Sequence, residues 1–363
     1  MLEPLLSLPT CWERLQQTQK PIVLYGMGNG ADRILCQLDR LGVAVRDIFA
    51  SDGFVRGQSF HGKRVKRLAE IESLYEDFVI VTAFAVHDES TMSAILGLDR
   101  RYELYAPDIP VAGENLFDRA FLRENLSQAE EALSLLADQR SRQVYRDLIA
   151  YKLTGRLEHL ISTCSSRQEA FFSLLRLGPE EAFADLGAYN GDTIQEFLQR
   201  TGGRFSRIFA MEPDAKNYQK LCRRAEKLGI FPDDRVRLWN LAAWDDRASL
   251  SFAPKAGRGC TVAAAAGQEV LADSLDNLIG HEPVTFLKMD VEGSESRAIL
   301  GAANTIRRHR PKLMISAYHR SEDLFALPRQ IGRIQPGYRL YLRRFPYIPA
   351  WEINLIGIWG DAQ

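Results

Sequence analysis

The residues best suited to chemistry lie in the second half of the chain, at the ends of short apolar runs. Asp185 closes the run Glu181-Ala-Phe-Ala-Asp185 and leads into Leu-Gly187-Ala188-Tyr-Asn190-Gly191-Asp192-Thr193. Glycines at 187 and 191 let a backbone approach a ligand closely. In an open α/β sheet, ligands sit beyond the carboxyl ends of the strands. Glu212 stands 25 positions beyond Gly187, at the end of the next apolar run and beside Pro213. An acid there can accept hydrogen bonds from two ribose hydroxyls. The loop has neither GxGxxG nor the GK[ST] of a phosphate-binding loop, and it sets a carboxylate on the strand itself. Carboxylates attract a sulfonium or an amino group and repel phosphate. The pattern therefore predicts a cationic nucleoside rather than a diphosphate; the alternative is an ordinary strand–turn–helix corner capped by Asp192.

A second set follows. Val284-Thr-Phe-Leu-Lys288-Met-Asp290 is the strongest apolar run and continues as Val-Glu292-Gly-Ser-Glu295, and His319 follows the next run. S-adenosylmethionine (SAM) is the obvious cationic nucleoside, and its methyl group needs an aligned acceptor. A hydroxyl holds its proton too tightly at neutral pH to react without a base or a metal. His319 or Asp290 is the expected base, with Glu292 orienting and Lys288 neutralising nearby charge; a structural role competes for His319 and more so for Lys288. Asp290, Glu292 and Glu295 would suit a hard divalent cation, but no metal is predicted, because Glu295 also fits the first turn of a helix.

Four motifs in this order resemble the FkbM family of methyltransferases: Phe183-Ala-Asp-Leu-Gly-Ala-Tyr-Asn-Gly-Asp-Thr193, Met211-Glu-Pro-Asp214, Phe286-Leu-Lys-Met-Asp-Val-Glu-Gly-Ser-Glu295 and Ala317-Tyr-His-Arg320. The resemblance covers about residues 166–360. It implies a class I, SAM-dependent methyltransferase fold and O-methylation of a sugar, a nucleotide-linked sugar or a related metabolite. It assigns Asp185, Gly187, Asn190 and Asp192 to the SAM loop, Glu212 to the ribose, and Asn240, Ala242 and Trp244 to the adenine edge.

The elements that must position these residues alternate strand and helix, which predicts parallel sheets. The expected fold class is α/β: two Rossmann-like doubly wound sheets joined by a helical segment, with boundaries at 1–112, 113–177 and 178–363. In the last unit the strands are expected around 181–185, 207–211, 236–241, 284–290, 312–317 and 352–359, with a hairpin insertion at Ser249–Phe252 and Thr261–Ala265. In the middle segment Leu122, Leu126, Ala129, Leu133 and Leu136, then Val144, Leu148, Tyr151, Leu157 and Leu160, recur at helical spacing. Those helices either pack between the units or form a homo-oligomer surface.

The first unit carries Gly26-x-Gly28-x-x-Ala31 between a strand and a helix, with Gly30 inside it and Asp52 near the end of the second strand. That is the context of a nucleotide loop. With Phe60-His-Gly-Lys-Arg-Val65 it resembles the amino-terminal domains of hexapeptide-type sugar acyltransferases, which implies a nucleotide-sugar site. A unit used only for assembly and an NAD site are the alternatives. For the whole chain, a non-catalytic scaffold binding SAM or nucleotide, or an NAD-dependent sugar-modifying enzyme, competes with the methyltransferase.

Composition sets the outer limits. The 363 residues carry 46 Lys plus Arg against 47 Asp plus Glu, with 46% hydrophobic residues. Such balance argues against non-specific nucleic-acid binding, and no apolar run reaches the ~20 residues of a membrane span. The first ten residues have no basic segment of a secretory signal. Five scattered cysteines without CxxC read as free buried thiols of a cytoplasmic protein. The arginines at 307, 308, 310, 329, 333, 339, 343 and 344 read as solvated faces, or as a surface for a phosphorylated acceptor. Tyr338, Tyr341, Phe345, Tyr347 and Trp351 read as core, or as a platform for a sugar ring.

Overall fold

In the computed structural model, residues 2–252 and 268–360 are described. The amino-terminal unit is a six-stranded sheet built from β1 (Ile22–Tyr25), β2 (Val45–Phe49), β3 (Ser59–Phe60), β4 (Lys63–Lys66), β5 (Val79–Thr82) and β6 (Glu103–Tyr105). Its order is β3-β4-β2-β1-β5-β6, parallel except for the β3–β4 pair. The order reverses at β1, where the glycine loop leaves the sheet. Gly26 and Gly28 take φ of +112° and +107°, and Gly28 caps the helix Asn29–Arg40.

The carboxy-terminal unit holds β7 (Ala182–Leu186), β8 (Arg207–Met211), β9 (Val236–Trp239), β10 (Ala242–Ala243), β11 (Ala248–Phe252), β12 (Gln268–Asp273), β13 (Phe286–Met289), β14 (Lys312–Ser316), β15 (Tyr338–Arg344) and β16 (Ile353–Trp359). Seven form one sheet in the order β15-β16-β14-β13-β7-β8-β9, in which β16 alone runs against its neighbours. The fully buried residues of β7 and β13 explain why these two strands are central: apolar on both faces, they need cover on both. A small sheet, β10-β12-β11, stands apart. Of the expected hairpin insertion, Ser249–Phe252 lies in β11, which pairs with β12, and Thr261–Ala265 lies outside the described residues.

The helical segment is used within the chain. The helix Gln139–Thr154 starts at Asp138, whose side chain accepts the Ser141 amide, and ends at Gly155 in the left-handed conformation. Its Val144, Leu148 and Tyr151 are buried, as are Leu157 and Leu160 beyond it. One apolar core runs from β1 and β5 through this segment into β13 and β14. The buried Lys152–Asp108 pair, at 2.6 Å, ties the segment to the chain beyond β6.

Three expectations are corrected. Tyr338–Arg344 is a strand, unlike the arginine-rich surface expected there, and Arg343 and Arg344 are buried in the seam with the helical segment. Arg343 pairs with Asp138 at 2.6 Å, and the Arg344 guanidinium donates to Thr163, to three backbone carbonyls (Leu160, Phe345 and Tyr347), and to the Cys164 thiol. Burying the stem while satisfying every donor keeps such a cation inside. The helix expected after Glu295 is two, Glu295–Gly301 and Ala303–His309. Among the cysteines Cys11 is free and buried, but Cys164 is exposed. Among the described residues no helix is long and apolar enough to cross a membrane.

Candidate active site

The turn after β7 is shaped by two glycines. Gly187 and Gly191 have φ of +84° and +82°, which only glycine adopts freely. A Cβ at Gly187 would lie 1.9 Å from the Asp290 carbonyl oxygen, so the loops after β7 and β13 touch backbone to backbone. Gly191 caps the helix Asp192–Arg200. The turn is closed by the amides of Gly187 and Ala188, both donating to the Met211 carbonyl at the end of β8.

Around this turn are acceptor atoms with nothing to accept from. Asp185 is fully buried, and one of its oxygens has no partner; the same holds for the Asn190 amide oxygen. The other Asp185 oxygen faces Lys288 at 3.5 Å, and Lys288 also faces Asp290 at 3.8 Å. Burial pushes the Asp185 carboxyl up to about 6, with Lys288 opposing the shift. Burial alone would lower the Lys288 ammonium, but Asp185 and Asp290 raise it above its ordinary value. An orphaned buried carboxylate oxygen is costly unless a donor or cation meets it.

Glu212 is buried just past β8. It accepts the amides of Tyr189 at 2.8 Å and Asp214 at 2.9 Å, so its carboxylate is fixed rather than free to swing. Burial raises its pKa and these two donors lower it, leaving it above the ordinary glutamate value. Asn240 donates to the carbonyls of Glu212 and Pro213, and Ala242 is buried on β10. Thr193 and the exposed Asp192 open the following helix.

His319 follows β14 and is 1% exposed. Its Nδ1 lies 2.8 Å from Glu295 Oε1, and its Nε2 lies 3.5 Å from Asp290 Oδ1. Burial pulls the imidazole down, but the hydrogen bond and charge of Glu295, then Asp290 and Glu292, raise it to about 9. Glu292, expected to orient the base, is exposed at φ +54°, and the residue on the inner ring nitrogen is Glu295. Asp290, Glu295 and His319 each bring one ligand-type atom within 4.8 Å of the others. The two ring nitrogens point away from one another, so the carboxylates flank the ring instead of converging with it on one point. A row of rings continues outward: Tyr318 lies 4.1 Å from His319, Trp351 6.3 Å from Tyr318, Tyr347 5.5 Å from Trp351, and His87 of the amino-terminal unit 5.6 Å from Tyr347.

In the amino-terminal unit the predicted loop has the expected backbone. A Cβ on Gly26 would meet the Phe84 ring at 2.5 Å, and one on Gly30 the Ala83 carbonyl at 2.6 Å, so both glycines serve packing against the end of β5. Gly28 has open space around it. Asp52 begins a short exposed turn after β2, and Asp32 in the first turn of the following helix pairs with His61 at 2.7 Å.

A seven-stranded sheet with one reversed strand, a glycine turn after its central strand and an acid at the end of the next define a class I methyltransferase fold. Residues 185–342 match the family model of the methyltransferase FkbM domain. Over its whole length the chain is similar to the methyltransferase FkbM from Methylobacillus flagellatus KT, at 23% identity and TM-score 0.74, covering 98% of this chain and 95% of that one. An rRNA methylase from Streptococcus thermophilus is 17% identical over 51% of this chain and 90% of its own, TM-score 0.34. The Aeropyrum pernix fibrillarin, solved with S-adenosyl-L-methionine, is 13% identical over 50% of this chain and 69% of its own, TM-score 0.33. No curated protein matches the chain.

Proposed function

We propose that the protein is a SAM-dependent methyltransferase that methylates a hydroxyl of a sugar or a related small metabolite. The observation that carries the SAM assignment is the pair of unpartnered, buried acceptor atoms on Asp185 and Asn190 around the Gly187–Gly191 turn. They suit a ligand with an amino group and a positive charge, and Glu212, at the end of the next strand, suits a ribose. Bound there, SAM supplies a methyl group already activated by its sulfonium.

The chain's own residues then align the acceptor and take its proton. His319 Nε2 is the atom that receives it, in a ring set between Asp290 and Glu295. Lys288 lies between the carboxylates of Asp185 and Asp290. The ring row from Tyr318 to His87 supports an acceptor with a flat apolar face, such as a sugar ring. Titration calorimetry with SAM tests the assignment. Saturable binding that is lost in Glu212→Ala supports it; no binding to the wild type overturns it.

A further inference from the structure

His319 has a carboxylate on each ring nitrogen and almost no contact with water. Glu295 is 0% exposed, and its Oε1 accepts the Val291 amide at 3.0 Å as well as facing the ring. That second bond fixes Glu295 to the loop carrying Asp290, whose partly exposed carboxylate faces the other ring nitrogen. Behind it, Asp323 from the helix Asp323–Ile334 accepts the Arg320 amide at 2.8 Å. Burial and the nearby Glu295 charge push the Asp323 carboxyl up to about 7. The other charged groups facing this cluster are Glu292 on the β13 loop, Lys288 beside Asp290, and Arg320, whose guanidinium is held by the Gly293 carbonyl.

Building on the methyl-transfer reading, we infer that Glu295 is the positioning residue of His319, fixing the proton on Nδ1 and keeping the ring an imidazolium until a cationic cofactor enters beside Asp290. An imidazolium between two carboxylates is favoured because each pairing stabilises the charged form. It cannot accept a further proton, so the ligand-free protein holds its base in the wrong state for reaction. A positive charge arriving at the Asp290 side offsets the carboxylates and lets the Nε2 proton leave. The sulfonium carries that charge, and the thioether left after transfer does not. His319 thus gives its Nε2 proton to solvent when that charge is present, takes the acceptor's proton during transfer, and would keep it beside an uncharged thioether.

The test is nitrogen-edited NMR of the imidazole on the full chain, joined to calorimetry in buffers of differing ionisation enthalpy. In the ligand-free wild type, His319 is expected to titrate more than about one unit above the ordinary histidine value of ~6.5. Glu295→Gln should bring it back toward that value, with loss of the Nδ1–H tautomer preference. Asp290→Asn should move it part of the way, and it serves if Glu295→Gln does not fold. SAM binding near neutral pH should release close to one proton, and S-adenosylhomocysteine markedly fewer. A wild-type His319 titrating at its ordinary value, no movement in either variant, or equal proton release by the two ligands would overturn the inference. Failure to bind SAM sinks the methyltransferase assignment instead, while the ligand-free titration still decides the role of Glu295.

Discussion

Gly187→Ala is the sharpest perturbation the site allows. The new methyl would stand 1.9 Å from the Asp290 carbonyl oxygen and 2.8 Å from its carbon, at a φ of +84°. The conformational part costs about 1–2 kcal/mol for a non-glycine residue in that region. The steric part has no soft neighbour to relieve it, because the clash is with backbone. That backbone is tied to the sheet by the Asp290 amide, which donates to the Leu186 carbonyl at 2.9 Å. Separating the ends of β7 and β13 adds a further few kcal/mol, for a total of roughly 3–5 kcal/mol. Gly28→Ala is the internal control: its φ is +107°, yet nothing lies within 4 Å of the added carbon. It should show the conformational part alone. Thermal melts should place Gly187→Ala about 6 °C or more below wild type and Gly28→Ala only a few degrees below. SAM binding should vanish in the first and persist in the second. Equal melting shifts for the two, or a Gly187→Ala protein that binds SAM normally, would refute the close-approach argument.

Other outcomes follow from the same geometry. Asp185 and Glu212 both carry pKa values raised by burial, Asp185 to about 6, so each is ionised only above its folded pKa. SAM affinity should therefore fall more steeply below about pH 6, where loss of the Asp185 charge adds to the proton release expected from His319, which calorimetry across that range would reveal; no change of slope there counts against the Asp185 contact. Arg344→Lys should destabilise by about 2–4 kcal/mol, because an ammonium cannot reproduce the donor set of the buried guanidinium. Chemical denaturation measures this, and a loss under about 1 kcal/mol would show that the seam does not depend on it. The fragment 178–363 should not fold on its own, since the core is continuous with the helical segment; a cooperative melt of the purified fragment would show that the proposed domain boundary is a true one.

The turn after β7 was legible in the sequence because it is local: an apolar strand, a glycine where the backbone must turn left-handed, an asparagine and a helix start, all within twelve residues, 182–193. The strand alternation and the order of the chemistry-bearing loops were legible for the same reason. Glu295 as partner of His319 was not, since the pair is 24 residues apart and meets only when β13 and β14 align. The one signal available was its place at the start of a helix, which also fits a simple dipole preference. β15 was hidden by its arginines. Tyr338, Leu340 and Leu342 alternate as a strand face should, but Arg343 and Arg344 look like solvent-facing residues until the carbonyls and carboxylate that receive them are in place. Most apolar positions of the middle segment lie on helices, with Leu136 and Leu157 just beyond helix ends, but spacing alone could not say that their cover comes from the same chain.

Two backbone hydrogen bonds between Val86 and Ile348, at 2.8 and 2.9 Å, join the loop after β5 to the loop before β16, and the Ala112 amide donates to the His319 carbonyl at 2.8 Å. Backbone joints of this kind do not depend on which side chains are present, so point substitutions cannot easily undo them, but a change of loop length on either side can. Recombination between relatives would be limited accordingly. A crossover in the helical segment preserves the proposed catalytic residues of one parent, yet it matches them with the other parent's loop lengths at 86 and 112. Chimeras should fail or succeed by the register of those two loops rather than by overall sequence similarity.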